Sequence, residues 1–184
     1  MKRNEPVTRD MFDLDKWVGH VTNASQHAQV GDMYMAVLPD LPLGGMESLA
    51  LSKEALNEVR HLDVPFYLVV QNGMDPAAVE DFLYRNPEVT GIFLGGDDGR
   101  RNNKIDPSLP NFKMNEGPAY AELAHSLGRK FHYGRAGTQT KINEALSMNA
   151  DSMDSTLPNR YRKALATLLN TAPQDMQKEI AKLS

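Results

Sequence analysis

The stretch PFYLVVQNGMDPAAVEDFLYRNPEVTGIFLGG, residues 65–96, reads as strand, turn, helix and strand in immediate succession. PFYLVV (65–70) and GIFLG (91–95) are β-rich apolar runs, too short for buried helices. Between them DPAAVEDFLYRN (75–86) carries apolar residues at helical spacing, with Pro76 suited to a first helical turn. Two such strands joined through a helix pair in parallel with a right-handed crossover.

The same alternation extends in both directions. MYMAVL (33–38), KFHYG (130–134) and ADSMDS (150–155) add three candidate strands, making five. MESLALSKEALNEVRHL (46–62), GPAYAELAHSLG (117–128) and TQTKINEALSMN (138–149) are the matching helices. Pro118 suits a first turn, Thr138 can cap a helix, and Gly128 stands where a left-handed C-terminal cap is wanted. A further helix is expected over 13–29, and two more over 160–170 and 173–184. The expectation is an α/β fold of parallel (β/α) units in a single domain spanning residues 1–184. The longest stretch without a periodic pattern is DDGRRNNKIDPSLPNFKMNE (97–116), a binding loop or a merely flexible one.

Composition narrows the function classes. A chain of 184 residues can bury a real core, and its net charge of -4 lacks the basic excess of general nucleic-acid binders, so any such contact is local. Zero cysteines exclude disulfides, thiolate zinc sites and cysteine nucleophiles, and fit a cytoplasmic setting. No stretch is apolar and long enough to suggest a membrane span, and no His/Asp/Glu cluster has metal-ligand spacing. The ten methionines read as core filling before a binding surface.

In parallel α/β sheets ligands gather at the C-terminal strand ends. Here those ends read LPDLPLGG, VVQNGM, LGGDDG, YGRAGT and SMDSTLP. Taken singly, Asp40 between two prolines suits a turn, Gln71-Asn72-Gly73 is a turn sequence, and Gly95-Gly96 lets the backbone reverse. Their concentration at one edge favours a site. In YGRAGT, glycines ahead of a threonine-capped helix present N–H groups to an anion, and Arg135 adds a cation. Asp151 and Asp154, three apart on a strand, face opposite sides. Asp154, nearer the strand end, is the candidate nucleophile or stabiliser of a developing cation, whereas Asp151 suits a cap or a bond to a neighbouring helix. His132 reads as a packed strand histidine before a catalytic one.

The ordered series AVLPDLPLGG, LVVQNGM, GIFLGGDDG and FHYGRAGTQTKINEALSMNADSMDSTLP, across about residues 33–160, resembles the later strands of the tRNA-guanine transglycosylase superfamily. It is closest to that family's phage DNA 7-deazaguanine transglycosylase-like branch. The resemblance implies the later half of a TIM-type (β/α)8 barrel, here an incomplete or open one, that exchanges guanine for a 7-deazaguanine base through an aspartate. It implies Asp154 as nucleophile, Asp40 and Gln71 at the edges of the base, Gly95 and Gly96 in close backbone approach, and Gly134, Arg135 and Gly137 beside sugar and phosphate. Asp97 stands where the family usually has leucine, which implies an altered base specificity. No glycine-rich counterpart of the family's upstream aspartate is present, since Asp13 and Asp15 in MFDLDKW lack those glycines. The implied partners are nucleic acid, DNA before RNA, and a second copy or another chain that completes the barrel; no cofactor is implied. The implied setting is the cytoplasm of a phage-infected bacterium. The alternatives are a non-catalytic half-barrel that binds or assembles, and a related glycosidic-bond hydrolase.

Overall fold

Five parallel strands build the main sheet. The computed structural model describes residues 8–27, 35–101, 104–105, 108 and 110–155. The strands are β1 (Ala36–Val37), β2 (Phe66–Val70), β3 (Val89–Leu94), β6 (Lys130–Tyr133) and β7 (Ser152–Met153), in the order β1-β2-β3-β6-β7. Between β3 and β6, β4 (Arg100–Arg101) and β5 (Lys104–Ile105) form a small antiparallel hairpin. The helices are α1 (Leu14–His27), α2 (Met46–Val59), α3 (Pro76–Arg85), α4 (Phe112–Asn115), α5 (Gly117–Ser126) and α6 (Gln139–Ser147). The five strands form an open half-barrel with its helices, a partial TIM-type barrel.

Side-chain alternation divides the sheet into two faces. Phe66, Leu68, Val70, Ile92, Leu94, Phe131 and Tyr133 pack with Leu56 of α2, Phe82 and Leu83 of α3, Ala124 of α5 and Ile142 of α6 in one core. Each large side chain buried there stabilises the fold by about 1.5–3 kcal/mol. Every residue of β2 is buried, as a central strand of a parallel sheet requires. On the other face the register places Val69, Phe93, His132 and Ser152 side by side. One step nearer the C-terminal edge stand Gln71, Gly95, Gly134 and Asp154. Large rings on this face lie over glycines of the next strand. A Cβ at Gly91 would sit 2.3 Å from the Tyr67 ring, and one at Gly134 would sit 2.4 Å from the Phe93 ring.

The end signals hold locally. Thr138 accepts from Lys141 N, Pro76 and Pro118 stand in first turns, and Gly128 has φ +66°; Asp75, which the sequence did not single out, also caps α3 by accepting from Ala77 N. The stretch 97–116, expected to lack structure, instead contains β4, β5 and α4. The physical reason is tertiary: Lys113 N–H donates to Asp97 O at 3.1 Å, and Asn111 Oδ1 caps α4 through Met114 N. The expected first strand narrows to Ala36–Val37 and the last to Ser152–Met153. The helices expected over 160–170 and 173–184, and residues 33–34 of the first strand, lie outside the described residues.

Candidate functional site

The C-terminal edge of the sheet brings the loops after β1, β2, β3 and β6 together with the end of β7. The loop after β1 is fastened from below by α2 and β2. Ser52 Oγ donates to Pro39 O at 2.8 Å, and Leu41 N–H donates to Ser48 Oγ at 3.0 Å. Gln71 is buried between them. Its Nε2 donates to Leu41 O and Ser48 Oγ, both at 2.8 Å, while Oε1 accepts from Leu43 N at 2.8 Å. This amide, which the resemblance assigns to a base, is here taken up by the chain and holds the loop that carries Asp40.

Asp40 is half-buried, and burial raises its carboxyl above the ordinary range while the charge of Arg135 opposes the rise. At the end of β3 the chain bends at Gly96, and the Asp97 N–H donates to Asn72 Oδ1 at 2.8 Å. Gly96 has φ +73°, and a Cβ there would meet the Phe112 ring at 2.6 Å, so only glycine fits.

After β6 the chain turns sharply. Arg135 adopts φ +58°, unusual for a residue with a side chain, and this aims its backbone N–H at Asp154 Oδ1, 2.7 Å away. Its guanidinium donates to Gly96 O at 2.7 Å, tying this turn to the end of β3. Gly137 N–H donates to Arg135 O, and nothing lies within 4 Å of a Cβ built on Gly137.

Asp154 has a second neighbour in His132, whose Nε2 lies 3.2 Å from Oδ1. The imidazole is almost wholly buried, stacked on Phe93 with centroids 4.7 Å apart, and its Nδ1 lies 2.8 Å from Ser152 Oγ. Burial lowers its pKa, against the opposing pull of Asp154, so the ring is neutral near pH 7. The tautomer that satisfies both neighbours carries the proton on Nε2, donates it to Asp154 and accepts from the Ser152 hydroxyl. Asp154 Oδ1 is thus held by two N–H groups. Its Oδ2 has no hydrogen-bond partner among the described residues, and the side chain is 53% exposed. A carboxylate fixed through one oxygen and open at the other can attack or stabilise an electron-poor carbon.

Lys113 carried no signal in the sequence, because a lysine in a short polar turn reads as surface. It is 1% exposed, donates from Nζ to Gly134 O, and lies 4.5 Å from the centre of the Tyr133 ring. Among the described residues no group of three or more His, Asp or Glu could hold a metal ion, and no helix is long and apolar enough to cross a membrane.

No family model matches the chain, and no curated protein does. Among solved structures it is similar to the catalytic module of a family 98 glycoside hydrolase from Streptococcus pneumoniae TIGR4 in complex with the LewisY pentasaccharide blood group antigen. That likeness has 15% identity and a TM-score of 0.42, and covers 62% of this chain and 22% of that one. It is also similar to an amidohydrolase from Burkholderia ambifaria with bound Zn, at 15% identity and a TM-score of 0.48, covering 90% of this chain and 52% of that one. The chain thus spans about half or less of the length of either protein. Likenesses at this level do not extend to chemistry.

Proposed function

We propose that this chain is a transglycosylase-type enzyme, or a subunit of one, that exchanges guanine for a 7-deazaguanine base in nucleic acid, DNA before RNA. One observation carries the reading: Asp154 is anchored through Oδ1 by Arg135 N–H and His132 Nε2, with Oδ2 unpartnered among the described residues. In the proposed reaction Oδ2 attacks the anomeric carbon as the glycosidic C–N bond breaks, and the bonding pair leaves with the base. The covalent link stores the sugar until a nitrogen of the incoming base attacks the same carbon and releases the carboxylate. Asp40 faces the base, and Gly95, Gly96 and Asp97 line its approach. Gly134, Arg135 and Gly137 stand beside the sugar and phosphate, but the N–H groups of residues 134–137, expected to meet an anion, are all taken by Leu94 O, Asp154 and Arg135 O, so the open space at Gly137 is what supports close contact there. Among the described residues the outer edges of β1 and β7 have no strand beside them in this sheet, and a second copy or another chain pairs there to extend the barrel.

A non-catalytic half-barrel that binds or assembles is the second reading, favoured by the Gln71 amide already being taken up by its own loop. The test is incorporation of labelled 7-deazaguanine into guanine-containing DNA and RNA, comparing wild type with Asp154→Ala. Incorporation by wild type alone supports exchange; base release without incorporation supports a hydrolase. No turnover on any substrate, with binding retained, favours the second reading.

A further inference from the structure

Lys113 is placed where stability alone gives no reason for a cation. Its ammonium has one hydrogen-bond acceptor among the described residues, Gly134 O, and one aromatic face, that of Tyr133. No carboxylate among the described residues is paired with it. Asp98 pairs with Lys141, and Glu144 accepts from the Tyr133 hydroxyl. The charges that bear on it are those of Arg135 and Lys141, which oppose its own, and of Asp98 and Asp154, which favour it; His132 senses it from the other face. A methionine would fill the same volume without desolvating a charge.

We propose that Lys113 is a positioning residue for Asp154, fastening the Gly134 carbonyl and so fixing the turn whose next N–H, that of Arg135, holds Asp154 Oδ1. The inference rests on the reading of Asp154 as the reacting group. Three consecutive links carry it: Lys113 Nζ to Gly134 O, Gly134 to Arg135 through one peptide, and Arg135 N–H to Asp154 at 2.7 Å. The peptide is the important link. The carbonyl of Gly134 and the N–H of Arg135 belong to the same rigid plane, so a donor that fixes one end fixes the direction of the other. This also accounts for the left-handed backbone of Arg135, which needs an external hold to persist.

Burial, with Arg135 and Lys141 adding to it, pushes the Lys113 amine down to about 7. Below that pH the buried charge is present and costs stability relative to the unfolded chain, which binds the proton up to the ordinary value near 10.5. Removing the charge therefore relieves the fold while releasing the peptide.

Lys113→Met and Lys113→Gln test this. For Lys113→Met the expected result is an unchanged or raised Tm, a kcat lower by about tenfold or more, and a KM within about twofold. Lys113→Gln, which keeps a donor, recovers part of the loss. In amide NMR spectra the Arg135 N–H resonance shifts in Lys113→Met, and this arm stands whether or not base exchange is observed. Full kcat in Lys113→Met, or an unmoved Arg135 resonance, overturns the proposal. Should Lys113→Met fail to fold, wild type decides alone. An Arg135 resonance that follows the Lys113 ammonium through its midpoint near pH 7 supports the link, and a flat one overturns it.

Discussion

Asp151 and Asp154 stand three residues apart at the two ends of the same short strand, and they are built for opposite purposes. Asp151 is engaged at both oxygens: Oδ1 accepts from Lys130 Nζ at 2.8 Å, and Oδ2 accepts from Phe131 N–H at 2.8 Å and faces His125 Nε2 at 3.1 Å. Its side chain is 22% exposed and staples β7 to β6 and α5. Among the described residues Asp154 is anchored at one oxygen only, and it is more than twice as exposed. A carboxylate with both oxygens engaged has little left for a ligand, whereas one held rigidly with an oxygen to spare does. Partner count, not residue type, separates a staple from a site.

The sharpest way to break this comparison is to make both carboxylates amides. Asp154→Asn keeps the shape and is expected to lower base exchange by at least about a thousandfold, with Tm within about 2 °C of wild type. Equal loss of activity in Asp151→Asn at matched stability would erase the distinction. The next largest effect is on the turn that serves Asp154. Gly134→Ala drives a Cβ to 2.4 Å from the Phe93 ring and 2.9 Å from Leu94 O, and is expected to cost about 1–3 kcal/mol in denaturant unfolding. Gly137→Ala, with open space around its Cβ, leaves stability within about 0.5 kcal/mol while lowering exchange.

The sequence showed the sheet best where burial is greatest. β2 and β3 are continuous apolar runs because a central parallel strand is covered on both faces, and the helix ends follow from single residues such as Pro76 and Thr138. The connection 97–116 was opaque because α4 is held by a distant partner, Asp97 O, and a Cβ on Gly99 would run into Asn111, neither of which leaves a periodic trace. The gathering of Asp40, Gln71, Gly95, Gly134 and Asp154 at one edge was legible from strand ends alone. Their partners were not. Gln71 reads as a ligand contact until its amide is seen to be filled by Leu41, Leu43 and Ser48, and Lys113 reads as surface until a carbonyl and a ring close over it.

A smaller effect belongs to the staple. Burial works to raise the Asp151 carboxyl, but the Lys130 ammonium, the Phe131 N–H and His125 outweigh it and hold the group below its ordinary value of 3.8. Its stabilisation is therefore fully present above the unfolded value and is lost as pH falls through the lower folded one. Asp151→Asn is expected to cost about 1–2 kcal/mol at pH 7, after allowing for the partial exposure of the group. The gap to wild type in urea midpoints should close below about pH 4 as the unfolded-state carboxylate protonates. A gap that persists unchanged at pH 3 would mean that the staple acts by packing rather than charge.

The smallest effect, and the most selective, is on His132. Its folded pKa is depressed from 6.5 by burial, with Asp154 opposing. The unfolded chain takes up the proton first as pH falls, so the contribution of this residue is present above 6.5 and is lost on the way down to the folded value, at no more than about 1.4 kcal/mol per pH unit. Replacing Asp154 by Asn removes the opposing charge and should move the titration of the His132 ring, followed by its NMR resonances, to still lower pH. Asp151→Asn should leave it in place, because neither oxygen of Asp151 touches that imidazole. If both variants move the ring equally, the two ends of β7 share one electrostatic environment, and the open oxygen of Asp154 loses its claim to be a separate site.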